Sequence, residues 1–251
     1  MGILNTLFYI KVTAFSNFKI EYFVEWKSLA FVLGGTFLAL VLSFPLKILM
    51  QSFLVMKVLL SRERNSMEDI MNTLHTLAEQ AKKKGILSLE TELNTLGNSF
   101  FKKAIMLLVD GHSKDKVEYI LRNDIHQMNK RHEQIIGVFD RAMNYTIAFG
   151  LFGTLIQIIL TLRQISMVGD GVDKIMLQMA MALLPTLYGG ILTYLWYTPI
   201  VNKLIVKHEK EVLFKEMICD GVLAIQLGSS PKQIKEQLDS YLAEKKRVYH
   251  S

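Results

Sequence analysis

The stretches of the sequence that are apolar enough to cross a membrane contain hydroxyl side chains, chiefly those of Thr154, Thr186 and Tyr188. Thr154 lies in the run 142–162, and Thr186 and Tyr188 lie in the run 175–202. Neither run contains Asp, Glu, Lys, Arg or His. Ion-coupled membrane machines usually need an acidic group or a cluster of oxygens within the bilayer. If this chain conducts protons, a partner chain must therefore supply the group that titrates.

The run 175–202 also contains residues from which a helix facing only lipid would gain nothing. Pro185 and Pro199 lie within it, with Gly189 and Gly190 between them. Small residues let helices approach closely, and carbonyls freed by proline need partners inside a bundle or along a wet path. We expect this helix to pack against other helices and to line a path for a conducted ligand. A tightly packed bundle helix that conducts nothing fits the same residues.

The composition indicates a membrane protein with a substantial aqueous part. Of the 251 residues, 51% are hydrophobic and 21% are charged, and the net charge is +6. In a membrane protein this basic balance reflects cytoplasmic loops rich in Lys and Arg, so no nucleic-acid partner is predicted. Cys219 is the only cysteine, which excludes an internal disulfide and cysteine-based zinc motifs. The N-terminus shows no basic segment and cleavage site, so we predict no removable signal peptide.

We predict an all-α membrane protein with three or four transmembrane helices and a helical cytoplasmic domain. Basic residues are sparse in the short loop 163–174, which places that loop outside and the longer basic segments in the cytoplasm. The predicted segments are a degraded first span or interfacial helix (1–27), a transmembrane helix (28–46), a cytoplasmic helical domain (47–141), a transmembrane helix (142–162), a periplasmic loop (163–174), a transmembrane helix (175–202) and a cytoplasmic helical tail (203–251).

Residues 1–27 leave the number of spans open. The stretch 3–18 is apolar except for Lys11, which would have to extend toward the membrane surface if this stretch spanned the bilayer. The alternative is a helix lying in the membrane interface. Three spans would place the N-terminus outside, and four would place it inside.

Local signals define several helices of the aqueous part. Ser66 with acidic residues after it predicts a helix start, and Lys84 followed by Gly85 predicts the end of that helix. A short second helix is expected at about 87–95. The helix after Ser113 is expected to run straight into the membrane, and the helix starting at Pro231 follows Ser230 as its cap. The stretch 47–60 is expected to continue the preceding transmembrane helix as an amphipathic stalk.

No enzyme or metal site is predicted. The sequence contains no phosphate-binding glycine motif, no His-Glu-x-x-His and no Gly-x-Ser-x-Gly. The six histidines are scattered, and His126 and His132 fall on different faces of one helix. We therefore expect no bound cofactor and no metal.

Several short runs, in their order and spacing, resemble flagellar stator A subunits, the MotA/PomA family. They are VLGGT (32–36), SFPL (43–46), KGILSLE (84–90), LLVDG (107–111), FGLFGT (149–154), TLYG (186–189) and DGVLAIQ (220–226). Each run is weakly specific by itself. The resemblance extends over roughly residues 24–242.

The resemblance implies a homopentamer in the bacterial inner membrane that surrounds a dimer of a B subunit. The single helix of that partner carries the ion-binding Asp, and inward flow of H+ or Na+ turns the A ring against the rotor protein FliG. Four spans are the rule in the family, which favours 3–18 as a degraded first span. Thr154, Thr186 and Tyr188 are then candidates for the ion path.

The same resemblance suggests roles outside the ion path. Pro185 and Pro199 are candidates for conformational coupling. Lys83, Lys84 and Glu90 lie where these stator subunits carry charged rotor contacts, although a solvated helix face fits the same three residues.

Two departures from the family pattern concern prolines. The family has a proline shortly before its third-helix Gly motif, where this chain has Ile147, and it has a threonine where this chain has Pro185. Losing one hydroxyl weakens the case for sodium. A kink at Pro185 could stand in for the one missing at Ile147, whereas a divergent paralogue with impaired torque would need no such replacement.

Two other functions fit the sequence. An energiser of the ExbB/TolQ type, which drives an outer-membrane machine, fits three spans with the N-terminus outside. A non-conducting membrane scaffold fits the uncharged spans.

Overall fold

The structure is a computed structural model that describes residues 20–59, 66–93, 96–168 and 172–241. Within these ranges it contains helices and no β-strand, so the prediction of an all-α fold is confirmed. The predicted span 3–18 lies outside the described residues. The α-helices in chain order are α1 (Trp26–Ser43), α2 (Leu46–Leu59), α3 (Met67–Lys84), α4 (Ser99–Val109), α5 (Lys114–Val168), α6 (Val172–Ala182), α7 (Leu184–Ile191), α8 (Thr198–Gln226) and α9 (Pro231–Leu238).

Three helical stretches among the described residues are long and apolar enough to cross a membrane. They are Glu21–Ser43, Lys114–Gln164 and Lys174–Gln226. A helix of about 20 residues spans the ~30 Å hydrocarbon core. The second and third stretches include the predicted segments 142–162 and 175–202, and the first overlaps the predicted segment 28–46 as far as Ser43.

The described residues divide into two compact units. The membrane unit comprises residues up to Leu49 and Val138–Pro199, and the second unit comprises Met50–Gly137 and residues from Ile200 onward. Helix α5 contributes residues to both units, as does α8. The expected continuation of Lys114 into the membrane segment without a break is therefore confirmed.

Local sequence signals determine both ends of helix α1, which are a capping glutamate at the start and a proline after the end. The Glu25 carboxylate accepts hydrogen bonds from the backbone N–H groups of Lys27 and Ser28, at 3.2 and 2.6 Å. At the other end Phe44 is extended, because the ring of Pro45 disfavours a helical conformation in the residue before it. The expected continuous stalk is thus interrupted, and a separate helix starts at Leu46.

The second unit has its own apolar core. Its buried side chains come from α3, α4, the first part of α5, the last part of α8 and α9. Leu74, Ile105, Leu121 and Ile218 are each fully buried. Gly221 lies so close to Leu74 that an added Cβ atom would be 2.6 Å from a methyl carbon of that leucine. The cytoplasmic helical domain of the prediction is therefore a packed bundle.

Caps in the second unit follow the sequence signals. Ser66 and Asp69 form a reciprocal capping box at the start of α3, and Ser230 does the same with Gln233 at the start of α9. Gly85 ends α3 with φ of 82°, a conformation that costs a glycine little.

The short helix expected at 87–95 is instead a 3-10 helix over Ile86–Glu92. The hydroxyl of Ser88 donates to the Gly85 carbonyl at 2.7 Å, and that of Thr91 donates to the Ser88 carbonyl at 2.9 Å. These bonds reach back three residues and so favour the tighter helix.

Candidate functional site

Glycines let helices α5 and α7 of the membrane unit approach each other closely. A Cβ atom added at Gly150 would lie 2.9 Å from the carbonyl oxygen of Pro185, and one added at Gly189 would lie 3.0 Å from that of Thr146. Both distances are too short for a side chain to fit without movement of backbone. Small residues at such crossings are how membrane helices pack without a hydrophobic driving force.

This approach brings together the two threonines that the sequence singled out. The hydroxyl oxygens of Thr154 and Thr186 are 2.6 Å apart, and the Thr186 hydroxyl also donates to the Gly150 carbonyl at 3.3 Å. Thr154 is only 8% exposed, whereas Thr186 is exposed. Three neutral oxygens therefore lie together between the uncharged segments of α5 and α7, and residue Thr186 is exposed on the surface of this chain.

Two other buried hydroxyls of the membrane unit, those of Thr36 and Thr146, donate hydrogen bonds within their own helices. Thr36 donates to the carbonyl of Val32, and Thr146 donates to that of Ala142, each at 2.7 Å and each four residues back in its own helix. The two hydroxyls also lie 3.3 Å from each other. This pattern is typical of threonines that pack within a helix bundle. Their mutual contact also crosses between helices, so the difference is that Thr186 donates to a carbonyl of the other helix, that of Gly150.

Pro185 lies at a break in the last membrane stretch. Helix α6 ends at Ala182, Leu183 forms a turn, and Pro185 occupies the first turn of α7, where a backbone N–H would have no partner within the helix. By contrast, Ile147 lies in the uninterrupted helix α5 and is 44% exposed. The chain therefore has its break at Pro185 and none at Ile147. That this break replaces the family's proline remains a prediction.

Pro199 follows a π-helix over Leu192–Tyr197. The backbone N–H and the hydroxyl of Thr198 both donate to the carbonyl of Thr193, the hydroxyl at 2.8 Å. Pro199 has no backbone N–H and cannot donate a hydrogen bond to the preceding turn. The wider π-turn before it lets the N–H of Thr198 bond to a carbonyl five residues back. Single π-turns occur often at functional sites.

The structure does not bring Tyr188 to the threonine pair. Its hydroxyl donates to the carbonyl of Phe23 and accepts a hydrogen bond from the backbone N–H of Glu25, both at 2.7 Å. Tyr188 thus holds the backbone at the start of α1. If Tyr188 affects ion passage, it does so by holding the backbone at Phe23 and Glu25 and not by contact with the threonines.

Two further polar residues of the membrane unit were missed in the sequence. The side-chain amide of Gln157 donates to the hydroxyl of Ser28 at 3.2 Å, and this joins α5 to the first turn of α1. Gln157 was visible as an amide within the uncharged run 142–162. Its contact with Ser28 depends on how the helices pack.

Lys83, Lys84 and Glu90 lie on the surface of the second unit. All three are exposed, and Lys83 is 3.5 Å from Glu79 on the same helix. Leu87 lies among them in sequence and is 72% exposed, which the sequence reading did not predict. The side chain of Gln80 donates to the Ser88 carbonyl at 3.0 Å and holds the 3-10 helix against α3.

Two histidines of the second unit face each other. The Nδ1 atoms of His132 on α5 and His208 on α8 are 3.1 Å apart, so one ring donates and the other accepts. Burial lowers the pKa of His132 below its ordinary value, and the positive charges of Lys215 and Arg131 act in the same direction. The Glu211 carboxylate opposes them. His132 therefore favours its neutral imidazole.

The described residues contain no group of three or more His, Cys, Asp or Glu side chains that could hold a metal ion. Cys219 is fully buried, and burial raises the pKa of its thiol to about 11. The thiol is therefore not ionised at neutral pH and forms part of the core.

Fold and site together define a multi-pass, all-α membrane protein with hydroxyls at a close helix crossing. Residues 92–217 match the model of the MotA/TolQ/ExbB proton channel family. The chemotaxis protein PomA of Vibrio alginolyticus is 34% identical over 249 residues, which cover 99% of this chain and 96% of PomA. Motility protein A of Borreliella burgdorferi is 32% identical and covers 93% of this chain and 88% of its own length.

Solved structures give the same result. The flagellar MotAB stator complex from Bacillus subtilis contains a chain with TM-score 0.86 and 26% identity, covering 98% of this chain and 96% of that one. A chain of C. jejuni MotAB has the same fold, with TM-score 0.86 and 20% identity. The protein belongs to the MotA/TolQ/ExbB proton channel family, and the resemblance to its MotA/PomA members is confirmed.

Proposed function

We propose that this chain is the A subunit of a flagellar stator, which couples inward flow of protons or sodium ions to rotation of the rotor. Its partner is a B subunit whose single membrane helix carries an Asp. The assembly is a homopentamer around that partner in the bacterial inner membrane. Similarity to PomA and to MotAB over nearly the full length of both chains supports this function over an ExbB/TolQ-type energiser.

The observation that carries the proposal is the contact between Thr154 and Thr186. A carboxylic acid alone in hydrocarbon stays protonated, because desolvation disfavours its charged form. Hydroxyls and water beside it lower that cost and let the acid exchange its cation. Thr186 is exposed on this chain and hydrogen-bonded to buried Thr154, so the pair offers oxygens to a partner helix.

Breaks in the last membrane stretch provide a place for movement. The turn at Leu183 before Pro185 and the π-helix before Pro199 flank the segment that carries Thr186. We propose that this segment shifts as the partner's acid gains and loses its cation. Movement reaches the second unit through helix α8, which begins directly after the π-helix.

The second unit carries the proposed contact with the rotor protein FliG. Lys83, Lys84 and Glu90 are exposed there, and charged surface residues steer and orient association more than they supply affinity. Among the described residues, neither the His132–His208 pair nor buried Cys219 belongs to an arrangement that resembles an enzyme site, so we propose transport and force generation without catalysis.

The direct test is co-expression with the cognate B subunit in a host that lacks its own stator. Imposing a proton or sodium gradient should change the cytoplasmic concentration of one of these ions. The change should disappear when the partner's membrane Asp is replaced by Asn. A complex that assembles in the membrane yet passes neither ion would contradict the proposal and would favour a scaffold.

A further inference from the structure

Gln157 has a buried amide oxygen for which the described residues supply no hydrogen-bond partner. The residue lies within the uncharged run 142–162 on α5, and its amide nitrogen donates to the Ser28 hydroxyl at 3.2 Å. An unpaired polar atom inside a membrane protein is costly, because no bulk water reaches it. A polar side chain kept at such a position therefore points to something else that the oxygen binds.

Gln157 lies on the polar face of α5. Thr154 and Thr161, three residues before it and four after it, are both buried, and such spacing places all three on one side of the helix. Leu155 and Ile159 on other faces are exposed, as expected for side chains that contact lipid. Gln157 thus lies about one turn along α5 from Thr154. Its amide is directed to Ser28 on α1, whereas Thr154 contacts Thr186 on α7.

Packing needs alone do not explain an amide here. A leucine or methionine could fill the same space without an unpaired oxygen. Buried threonines that serve packing, such as Thr146, donate to a carbonyl of their own helix. The Gln157 amide makes its hydrogen bond across to α1 instead, and its oxygen is left over.

Negative charge lies at the same end of α1. The Glu25 carboxylate accepts a hydrogen bond from the backbone N–H of Ser28, the residue whose hydroxyl holds Gln157. In the proposed topology this end faces outside, since α5 runs from Thr154 through Gln157 toward the loop 163–174. A cation entering from outside would meet this group before it reached the threonines.

We propose that Gln157 Oε1 and the Ser28 hydroxyl form an outer cation site, one helical turn from the Thr154–Thr186 pair, and that its ligand is a sodium ion. This inference rests on the proposed ion conduction. Neutral carbonyl-type oxygens replace the hydration shell of alkali cations. An amide oxygen is only an acceptor and cannot relay a proton at neutral pH.

The experiment measures swimming speed, with the full chain and its cognate B subunit, as a function of sodium concentration at fixed pH and membrane potential. Gln157→Leu should raise the sodium concentration for half-maximal speed by roughly three- to tenfold, the effect of one lost polar interaction. Thr146→Val is the matched control, because it removes a buried hydroxyl of the same helix that donates to its own backbone. The control should leave the half-maximal concentration unchanged.

The outcomes separate this inference from the function on which it rests. Speed that depends on the proton gradient and not on sodium would overturn the sodium site while leaving the stator function intact. A parent complex without any ion-dependent movement would overturn both. If Gln157→Leu reaches the membrane at parental levels with an unchanged sodium dependence, Gln157 is a packing residue and the site is wrong.

A second variant covers the case in which Gln157→Leu does not accumulate. Gln157→Asn keeps the amide but draws its oxygen back by one methylene. It should also raise the half-maximal sodium concentration, and an unchanged value in this variant would equally overturn the site.

Discussion

The hydroxyl oxygens of Thr154 and Thr186 lie 2.6 Å apart although the residues are 32 positions apart in the chain. This contact depends on the glycines at the crossing of α5 and α7, since side chains there would meet backbone carbonyls. The crossing therefore places two neutral oxygens together in a region without charged side chains.

The first prediction concerns the glycines. Gly189→Ala would place a Cβ atom 3.0 Å from the Thr146 carbonyl oxygen, whereas the Cβ of Gly190→Ala would have nothing within 4 Å. Overpacking of a tight contact costs about 1–3 kcal/mol, so Gly189→Ala should lower thermal stability and separate the threonines. Unfolding of the detergent-solubilised chain and ion flux of the complex measure both effects. Equal behaviour of the two variants would contradict the close crossing.

The second prediction separates two roles for Tyr188. Tyr188→Phe removes the hydrogen bonds to Phe23 and Glu25 and should destabilise the folded chain by about 1–2 kcal/mol. The control is Tyr194→Phe, because Tyr194 is 67% exposed. Thermal unfolding compares the two variants. A Tyr188→Phe protein of parental stability that no longer passes ions would show that the hydroxyl acts in the ion path instead.

Some of this architecture was predictable because it rests on short-range chemistry. Ser66, Gly85 and Ser230 each act within one turn of a helix, so these helix ends could be predicted from the adjacent residues in the sequence. The uncharged runs likewise identified the membrane stretches, because crossing a bilayer requires length and apolarity alone.

Other features depend on packing between distant residues. The contacts of Tyr188 with Phe23 and of Gln157 with Ser28 depend on which helices are neighbours and on how far each helix is shifted along its axis. The 3-10 helix after Gly85 depends on side-chain hydrogen bonds that compete with an ordinary α-helix. The π-helix before Pro199 is one of several ways to accommodate a proline, and the sequence does not select among them.

The third prediction concerns pH. Because burial lowers the pKa of His132 in the folded state, the unfolded chain binds more protons around the ordinary histidine pKa of about 6.5. Stability should therefore fall as the pH decreases below that value and should be unaffected by this group well above it. His208→Gln removes the facing ring and should change this pH dependence.

The measurement is the melting temperature of the full chain between pH 5.5 and 8. The control is His126→Gln, since His126 is exposed. Identical pH profiles for the parent and for variants at His132 and His208 would show that the histidine pair does not affect folding.

The fourth prediction concerns the rotor-facing surface. Lys84→Glu should reduce swimming without lowering the amount of protein in the membrane, because it reverses an exposed charge that orients association. An opposite reversal on FliG should restore part of the speed. Lys116→Glu, at another exposed lysine of the second unit, is the control. Normal swimming after reversal of Lys83, Lys84 and Glu90 would exclude this surface.

The central claim is that the Thr154 and Thr186 hydroxyls serve ion passage and do not merely pack. Replacing threonine by valine keeps the shape of the side chain and removes its oxygen. The most direct measurement is ion flux through the complex with the B subunit, for Thr154→Val, Thr186→Val and the packing control Thr146→Val at equal membrane levels. We predict that the first two variants lose flux by roughly three- to tenfold, and more together, while the control retains it. Parental flux in the Thr154→Val, Thr186→Val double variant across a range of gradients would contradict the account.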